Sequence, residues 1–298
     1  MKFLIAGGTG LIGNSIVQLL IEKNHDINIL SRKRVNDTKH VRYYEWNPKN
    51  QTIDFNCVDD VDVIINLAGE NIFGLWTKSK KKKILESRIK SLQLLKKLIK
   101  HKTNNVKQII SASAIGIFPN SQEIIFDENS SQTGKTFLAN VVKQWEREIK
   151  SFKVFKINVT TVRIGMVFSE LGGIIKVLRL ILKSRILSFV GDGNQKISWI
   201  HLNDLSELFY KISKINYDGL IHGVNNNPTT MLDLTTSLTN KYKLKFKVFI
   251  PDIILKSFFR LVCLGDFYED IVNSSKNVVS KQINKVHPNL KYTNLKDL

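Results

Sequence analysis

Residues 3–13, Phe3-Leu4-Ile5-Ala6-Gly7-Gly8-Thr9-Gly10-Leu11-Ile12-Gly13, set a short apolar run directly against glycines at positions 7, 10 and 13. The apolar run predicts a buried strand, with Gly7 making the tight turn out of it. Gly10 carries no Cβ, so the backbone there can approach a pyrophosphate, and Gly13 lets the following helix pack close to the strand. Ile12, Ile16, Leu19 and Leu20 recur at helical spacing, which predicts an amphipathic helix on a sheet, its N-terminal amides turned toward phosphates. Gly7, Thr9, Gly10, Leu11, Ile12 and Gly13 are therefore candidate contacts for a dinucleotide. A glycine-rich turn without a ligand is the competing reading. The strand before the turn and the amphipathic helix after it favour the cofactor.

The next strand, Asp26 to Leu30, bears on which dinucleotide. A site for NAD usually ends this strand in Asp or Glu, which accepts hydrogen bonds from the ribose 2′-hydroxyl. Here the strand runs into Ser31-Arg32-Lys33-Arg34. A carboxylate would repel a 2′-phosphate, whereas a hydroxyl and a guanidinium bind one, the latter through paired charge-assisted hydrogen bonds. Ser31 and Arg32 thus predict NADP over NAD, against the alternative of a solvated basic loop.

Composition suits an enzyme-sized α/β protein. With 298 residues and 43% apolar content the chain can bury a sizeable core. No apolar run approaches the roughly 20 residues of a membrane span. The N-terminal Met1-Lys2-Phe3-Leu4-Ile5-Ala6 breaks into Gly-Gly-Thr-Gly, which reads as a strand rather than a leader. Two cysteines, Cys57 and Cys263, give neither a disulfide framework nor metal-ligand spacing, which predicts a reducing cytoplasm. Six scattered histidines predict no metal site. The formal charge of +19 invites a nucleic-acid reading. The densest cluster, Lys78 to Lys83, however, opens a helix whose stripe of Leu85, Ile89, Leu92 and Ile99 would leave the lysines on the solvated face. No aromatic-interleaved basic segment accompanies it, so no specific nucleic-acid partner is expected.

Strands and helices alternate along the chain, the pattern of a doubly wound parallel sheet covered on both faces. Val61 to Leu67 is a near-continuous apolar strand that ends in Ala68-Gly69-Glu70-Asn71, and ligands sit beyond the carboxyl ends of such strands. Leu67, Ala68, Gly69 and Glu70 are therefore expected beside the cofactor. A helix from Ser79 to Lys100, a strand from Val106 to Ser111 running into Ala112 and Ser113, a helix from Phe137 to Lys150, and a strand from Val159 to Ile164 turning at Gly165-Met166 complete the pattern. Glu70 can hold a ribose hydroxyl or pair with Arg88. Ser113 can donate to a ligand or cap its own strand. His201 can bind a substrate group or, with Asp204, open a helix. Trp199 reads as a lobe-packing residue.

These segments resemble the short-chain dehydrogenase/reductases of the extended or atypical kind, in particular the NAD(P)-dependent epimerase-like group with a small C-terminal extension. That group includes bacterial proteins named as cell-division inhibitors and a human NADP-binding member. The resemblance is carried by Gly7–Gly13, Asn66-Leu67-Ala68-Gly69-Glu70-Asn71-Ile72, Glu86-Ser87-Arg88-Ile89, Ser111-Ala112-Ser113-Ala114, Phe137-Leu138-Ala139 with Trp145-Glu146, and Ser198-Trp199-Ile200-His201-Leu202-Asn203-Asp204-Leu205. Gly191-Asp192-Gly193 and Gln195 resemble the approach to a substrate lobe, and the last residues, through Tyr292, Leu295 and Leu298, resemble the extension.

The resemblance implies a Rossmann domain over residues 1–240 with a smaller C-terminal substrate lobe, and a diverged extension over 241–298. It also adds Arg88, Ser111, Ala112, Gly165 and Met166 to the cofactor contacts, and Ser113, Glu70 and His201 as catalytic candidates. Catalytic members carry a Tyr-x-x-x-Lys pair that moves a proton while hydride moves. Here Phe137 and Val141 fall at those positions, and phenylalanine cannot transfer a proton. Two functions stay open: an NADP-dependent epimerase or oxidoreductase acting on a small polar, sugar-like substrate through another proton donor, and a non-catalytic NADP-binding sensor or regulator. Substrate identity and oligomeric state are not legible.

Overall fold

A computed structural model describes residues 1–33, 35–101, 103–173, 186–190, 193–242 and 246–295, with only the backbone described at 186–190, 238–242 and 246–250. Eight strands form the main sheet: β1 (Lys2–Ala6), β2 (Asp26–Ser31), β3 (Val41–Asn47), β4 (Thr52–Ile53), β5 (Val63–Asn66), β6 (Gln108–Ala114), β7 (Asn158–Ile164) and β8 (Gly219–Gly223). Their spatial order is β8-β7-β6-β5-β1-β2-β3-β4. β1 pairs in parallel with both β2 and β5, β2 with β3, and β5 with β6, while the short β4 runs antiparallel to β3. The order reverses between β1 and β5, so this α/β sheet is doubly wound, with its topological switch point at the carboxyl ends of those two strands.

The apolar runs explain the register. Phe3, Leu4, Ile5 and Ala6 are wholly buried, as are Ile64 and Ile65 of the neighbouring β5, since helices cover both faces of a parallel sheet. α1 (Leu11–Glu22) buries Gly13, Ile16, Val17 and Leu20. The buried stripe is thus rotated from the expected one: Val17 is inside, and Ile12 and Leu19 lie at its margin. α2 (Lys78–His101) buries the expected Leu92 and Ile99 together with Ile84, Leu95 and Leu98, and leaves Leu85 and Ile89 half-buried. β3 escaped the sequence reading because Val41-Arg42-Tyr43-Tyr44-Glu45-Trp46-Asn47 has no apolar run. Only Val41 and Trp46 in it are buried. α3 (Phe137–Lys150) has the predicted bounds, and α4 (Leu202–Lys214) follows the Ser198–His201 segment.

The chain divides into two compact units that interleave in sequence. The first comprises 1–113, 141–163 and 205–221. The second comprises 114–140, 164–204 and 222–298, and so contains the segment from 241 together with 114–140, 164–204 and 222–240. Within the second, Met166–Phe168 pairs in parallel with Trp199–His201, and Phe168, Ile197, Trp199 and Leu234 form its apolar cluster. Trp199 stacks on Phe168 and donates its indole N–H to the carbonyl of Asn227, the packing role expected for it. Among the described residues no helix is long and apolar enough to cross a membrane.

Candidate functional site

The turn after β1 and the turn after β5 open a pocket of about 620 Å³ in the first unit, within the size range of cofactor and ligand sites. Gly7, Thr9 and Gly10 line it from the first turn; Leu67, Ala68, Gly69 and Glu70 from the second. Ser31 and Arg32 line it from the end of β2.

The glycines of the first turn have different causes. A Cβ on Gly13 would lie 2.2 Å from the carbonyl oxygen of Gly7 and 2.7 Å from the Cα of Gly8, so packing of α1 on the turn excludes any side chain there. A Cβ on Gly10 would meet only the Gly7 carbonyl oxygen, at 3.4 Å. Gly10 is exposed, in extended conformation at the N-cap of α1, so the fold itself does not demand a glycine. A side chain there would stand in the way of a group that comes close to the backbone from the pocket, as a pyrophosphate does. The residues present therefore fit a dinucleotide.

Ser31 closes its own loop: its Oγ accepts the amide of Lys33 and donates to the carbonyl of the same residue. Arg32 is exposed at the pocket rim. Asn66 ties the two strand ends beside the pocket, donating through Nδ2 to Ser111 Oγ and accepting the amide of Ala68. Ser111 and Ala112 are buried near the end of β6, Leu11 and Ile12 are half-buried in the first turn of α1, and none of the four lines the pocket.

The Glu70 carboxylate pairs with Lys80 at 2.7 Å and not with Arg88. Arg88 takes the main chain instead, donating to the carbonyls of Glu70 and Ile84, while its guanidinium lies 5.0 Å from the Trp145 ring. It sits directly under Gly69, where a Cβ would approach the guanidinium carbon to 3.2 Å. Ser87 Oγ accepts the Glu70 amide, so α2 holds this loop at two points. Burial pulls the Arg88 guanidinium down to about 10, which leaves it charged at neutral pH. The hydrogen bond from Lys80 holds the Glu70 carboxyl below its ordinary range, with Lys83 and Arg32 adding to the effect. The lysines at the start of α2 are thus not all on the solvated face: Lys80 is engaged by Glu70, and Lys83 lines the pocket.

The remaining candidates have other partners. Ser113 is buried and its hydroxyl donates to Glu146 Oε1 at 2.7 Å. The same carboxylate receives Arg163 Nε and Nη2 at 2.7 and 2.8 Å. His201, in the second unit, stacks on Tyr292 with ring centroids 3.6 Å apart and takes the amide of Asn203 on Nδ1. Burial lowers the His201 pKa, opposed by the charge of Asp204. Asp204 accepts the amides of Lys291 and Tyr292, so this pair fastens the C-terminal segment. Gly165 is a packing glycine of the second unit, where a Cβ would lie 2.6 Å from the Ser198 carbonyl oxygen, and Met166 pairs with Trp199. Arg34, Gly191, Asp192 and Leu298 lie outside the described residues. Among the described residues no cluster of His, Cys, Asp and Glu could hold a metal ion.

Sequence reasoning missed Trp46, Asn47, Pro48 and Lys49, which line the pocket from the end of β3 and the turn after it. It also missed Lys83, Glu86 and Lys90 on α2. Spacing alone could have suggested the last three, since with Ser87 they fall on one helical face.

A doubly wound sheet with a glycine turn and a pocket at its switch point defines a Rossmann-type nucleotide-binding protein. The chain belongs to the NAD dependent epimerase/dehydratase family, whose sequence profile matches residues 3–219. It is 29% identical over 287 residues to the epimerase family protein YfhF of Bacillus subtilis (strain 168), covering 95% of this chain and 92% of that one. It is 36% identical over 205 residues to the epimerase family protein SH2119 of Staphylococcus haemolyticus, covering 68% of each. Its fold is similar to that of human epimerase family protein SDR39U1 (isoform 2), solved with NADPH. The TM-score is 0.84 at 22% identity, over 100% of this chain and 97% of that one. MoeE5, solved with UDP-glucuronic acid and NAD, superposes with a TM-score of 0.78 at 15% identity, over 100% of this chain and 96% of the other.

Proposed function

We propose that this chain binds NADP(H) in preference to NAD(H) and acts on a small polar, sugar-like substrate without the Tyr-x-x-x-Lys pair. The observation that carries the cofactor reading is the end of β2 in the pocket: Arg32 lines it, and the strand contributes no carboxylate. The NADPH bound by the similar human protein and the nucleotide sugar bound by MoeE5 support the two halves of the reading. The cofactor supplies hydride chemistry when bound. The chain supplies the turn amides and Arg32 for its phosphates, and the Glu70 loop, held by Arg88 and Ser87, for its ribose. Arg32→Ala is expected to weaken NADP+ binding roughly ten- to a hundredfold, the worth of a lost charge-assisted pair, and to leave NAD+ nearly unchanged. Titration with both cofactors decides it, and an equal loss for the two sinks the assignment.

Binding without turnover is the second reading, and two placements favour it. Phe137 opens α3 and Val141 is buried in it, so neither position offers a proton. The Ser113 hydroxyl is spent on Glu146. General acid–base transfer contributes typically about 10²- to 10⁴-fold in rate, and these positions cannot supply it. On this second reading little or no turnover of nucleotide sugars is expected when NADP(H)-loaded protein is followed by nicotinamide absorbance and isomer ratio. Robust turnover that survives Ser113→Ala and His201→Ala but vanishes on Glu70→Gln would overturn this second reading and make Glu70 the proton-transfer group.

A further inference from the structure

We propose that Lys83, with Lys49 lining the same pocket, is a selectivity residue for the adenosine 2′-phosphate, sharing that group with Arg32. The inference rests on the cofactor reading above and extends it to residues on two further elements.

α2 presents one face to the pocket, formed by Lys83, Glu86, Ser87 and Lys90, as residues three, four and seven apart along a helix share a face. Most of that face is already satisfied. Lys90 pairs with Glu86 at 3.0 Å, and Ser87 Oγ accepts the amide of Glu70. The other acid of the pocket, Glu70, pairs with Lys80 at 2.7 Å. Lys83, Arg32 and Lys49 come from α2, the end of β2 and the turn after β3, and all three line the same pocket. None of the three has an ion-pair partner among the described residues.

Cations from three separate elements line one concavity whose two acids, Glu70 and Glu86, already pair with Lys80 and Lys90, so positive charge is left over that an anion would neutralise. Such a lining focuses a positive field into the pocket. The pyrophosphate already has the amides of the glycine turn. Arg32 stands at the end of the second strand, beside which the adenosine ribose sits in this fold. Lys83 and Arg32 both act on the Glu70 carboxylate, which puts them in one electrostatic neighbourhood. A 2′-phosphate would bring about 1.5 to 2 negative charges into that neighbourhood at neutral pH, the charge such an ester carries with its second pKa near 6.

The test measures dissociation constants for NADP+, NAD+, adenosine 2′,5′-bisphosphate and AMP with the full-length protein and its Lys83→Gln, Lys49→Gln and Lys97→Gln variants. Lys97 is exposed on the same helix and serves as the control. Lys83→Gln is expected to weaken NADP+ and the bisphosphate about tenfold, the scale of one charge-assisted contact. NAD+ and AMP should change by less than about twofold, and Lys49→Gln should act in the same direction with a smaller effect. NADP+ affinity should also fall as pH drops through about 6, where the phosphate loses its second charge, while NAD+ affinity does not. If wild-type protein prefers NADP+ and Lys83→Gln leaves that preference intact, or weakens both cofactors equally, the assignment of Lys83 falls and the cofactor reading stands. If wild-type protein binds the two cofactors equally, the cofactor reading falls and takes this inference with it.

Discussion

Gly10→Val is expected to abolish dinucleotide binding while the protein stays folded. The space around this position separates the two effects. A Cβ there meets one backbone oxygen at an ordinary 3.4 Å, and the backbone at φ −80° and ψ 173° is an extended conformation that valine adopts readily. Loss of glycine at the N-cap costs at most about 1 kcal/mol, which lowers the Tm by only a few degrees in a chain of this size, taking roughly 2–4 °C per kcal/mol. The branched side chain, however, stands where the pocket brings a ligand against the backbone. Gly13→Ala is the contrasting variant. Its Cβ would lie 2.2 Å from the Gly7 carbonyl oxygen, so α1 must shift, and overpacking of this kind costs about 1–3 kcal/mol or more. Thermal denaturation together with cofactor titration distinguishes them: Gly10→Val loses binding alone, Gly13→Ala loses stability and binding together. A Gly10→Val protein that still binds NADPH tightly would show that the ligand does not approach the backbone at this turn.

The same contrast shows which parts of the molecule could be read in advance. β1, the glycine turn and α1 were legible because local chemistry and tertiary role coincide: an apolar run must be buried, and a glycine where a helix meets a turn has few other uses. The α3 bounds were legible from periodicity. β3 was not, since only Val41 and Trp46 of its seven residues are buried and the strand is defined by pairing with β2, a partner that no local pattern names. Helical stripes were legible in period and misjudged in phase, because which of Ile12, Val17 and Leu19 faces inward depends on how α1 sits on the sheet. At the site, the pocket lining supplied by the two turns was legible from its own residues. Lys49 was not, as it enters the pocket from the turn after β3, and Lys83 was readable only through its helical spacing with Glu86, Ser87 and Lys90. For Glu70 the sequence left a ribose hydroxyl and Arg88 open; in the structure the carboxylate pairs with Lys80, also on α2, while Arg88, buried beside Trp145, takes the main chain.

Glu146→Ala is expected to be among the most destabilising substitutions in the first unit. Glu146 lies on α3, Arg163 near the end of β7 and Ser113 near the end of β6, positions whose convergence no spacing reveals. The carboxylate accepts three hydrogen bonds, from Ser113 Oγ, Arg163 Nε and Arg163 Nη2, and both charged side chains are almost fully shielded from water. Removing the carboxylate leaves the guanidinium buried without its counter-charge, a change that costs about 3–5 kcal/mol. Chemical denaturation reads this directly, and a loss below about 1 kcal/mol, the worth of an exposed ion pair, would show that water reaches the guanidinium. The Coulomb attraction itself is largely offset by the cost of desolvating both ions, so converting the set to apolar residues is expected to recover more than half of that loss: Glu146→Leu with Arg163→Leu and Ser113→Ala should be more stable than Glu146→Ala alone. Ser113→Ala by itself then separates the two roles open to this serine. A hydroxyl that serves the buried carboxylate costs about 1.5–3 kcal/mol of stability when removed, as hydrogen bonds to charged groups do, and leaves cofactor affinity unchanged. A hydroxyl that serves a bound ligand would instead lower affinity or turnover at unchanged stability, and that result would return Ser113 to the chemistry of the site.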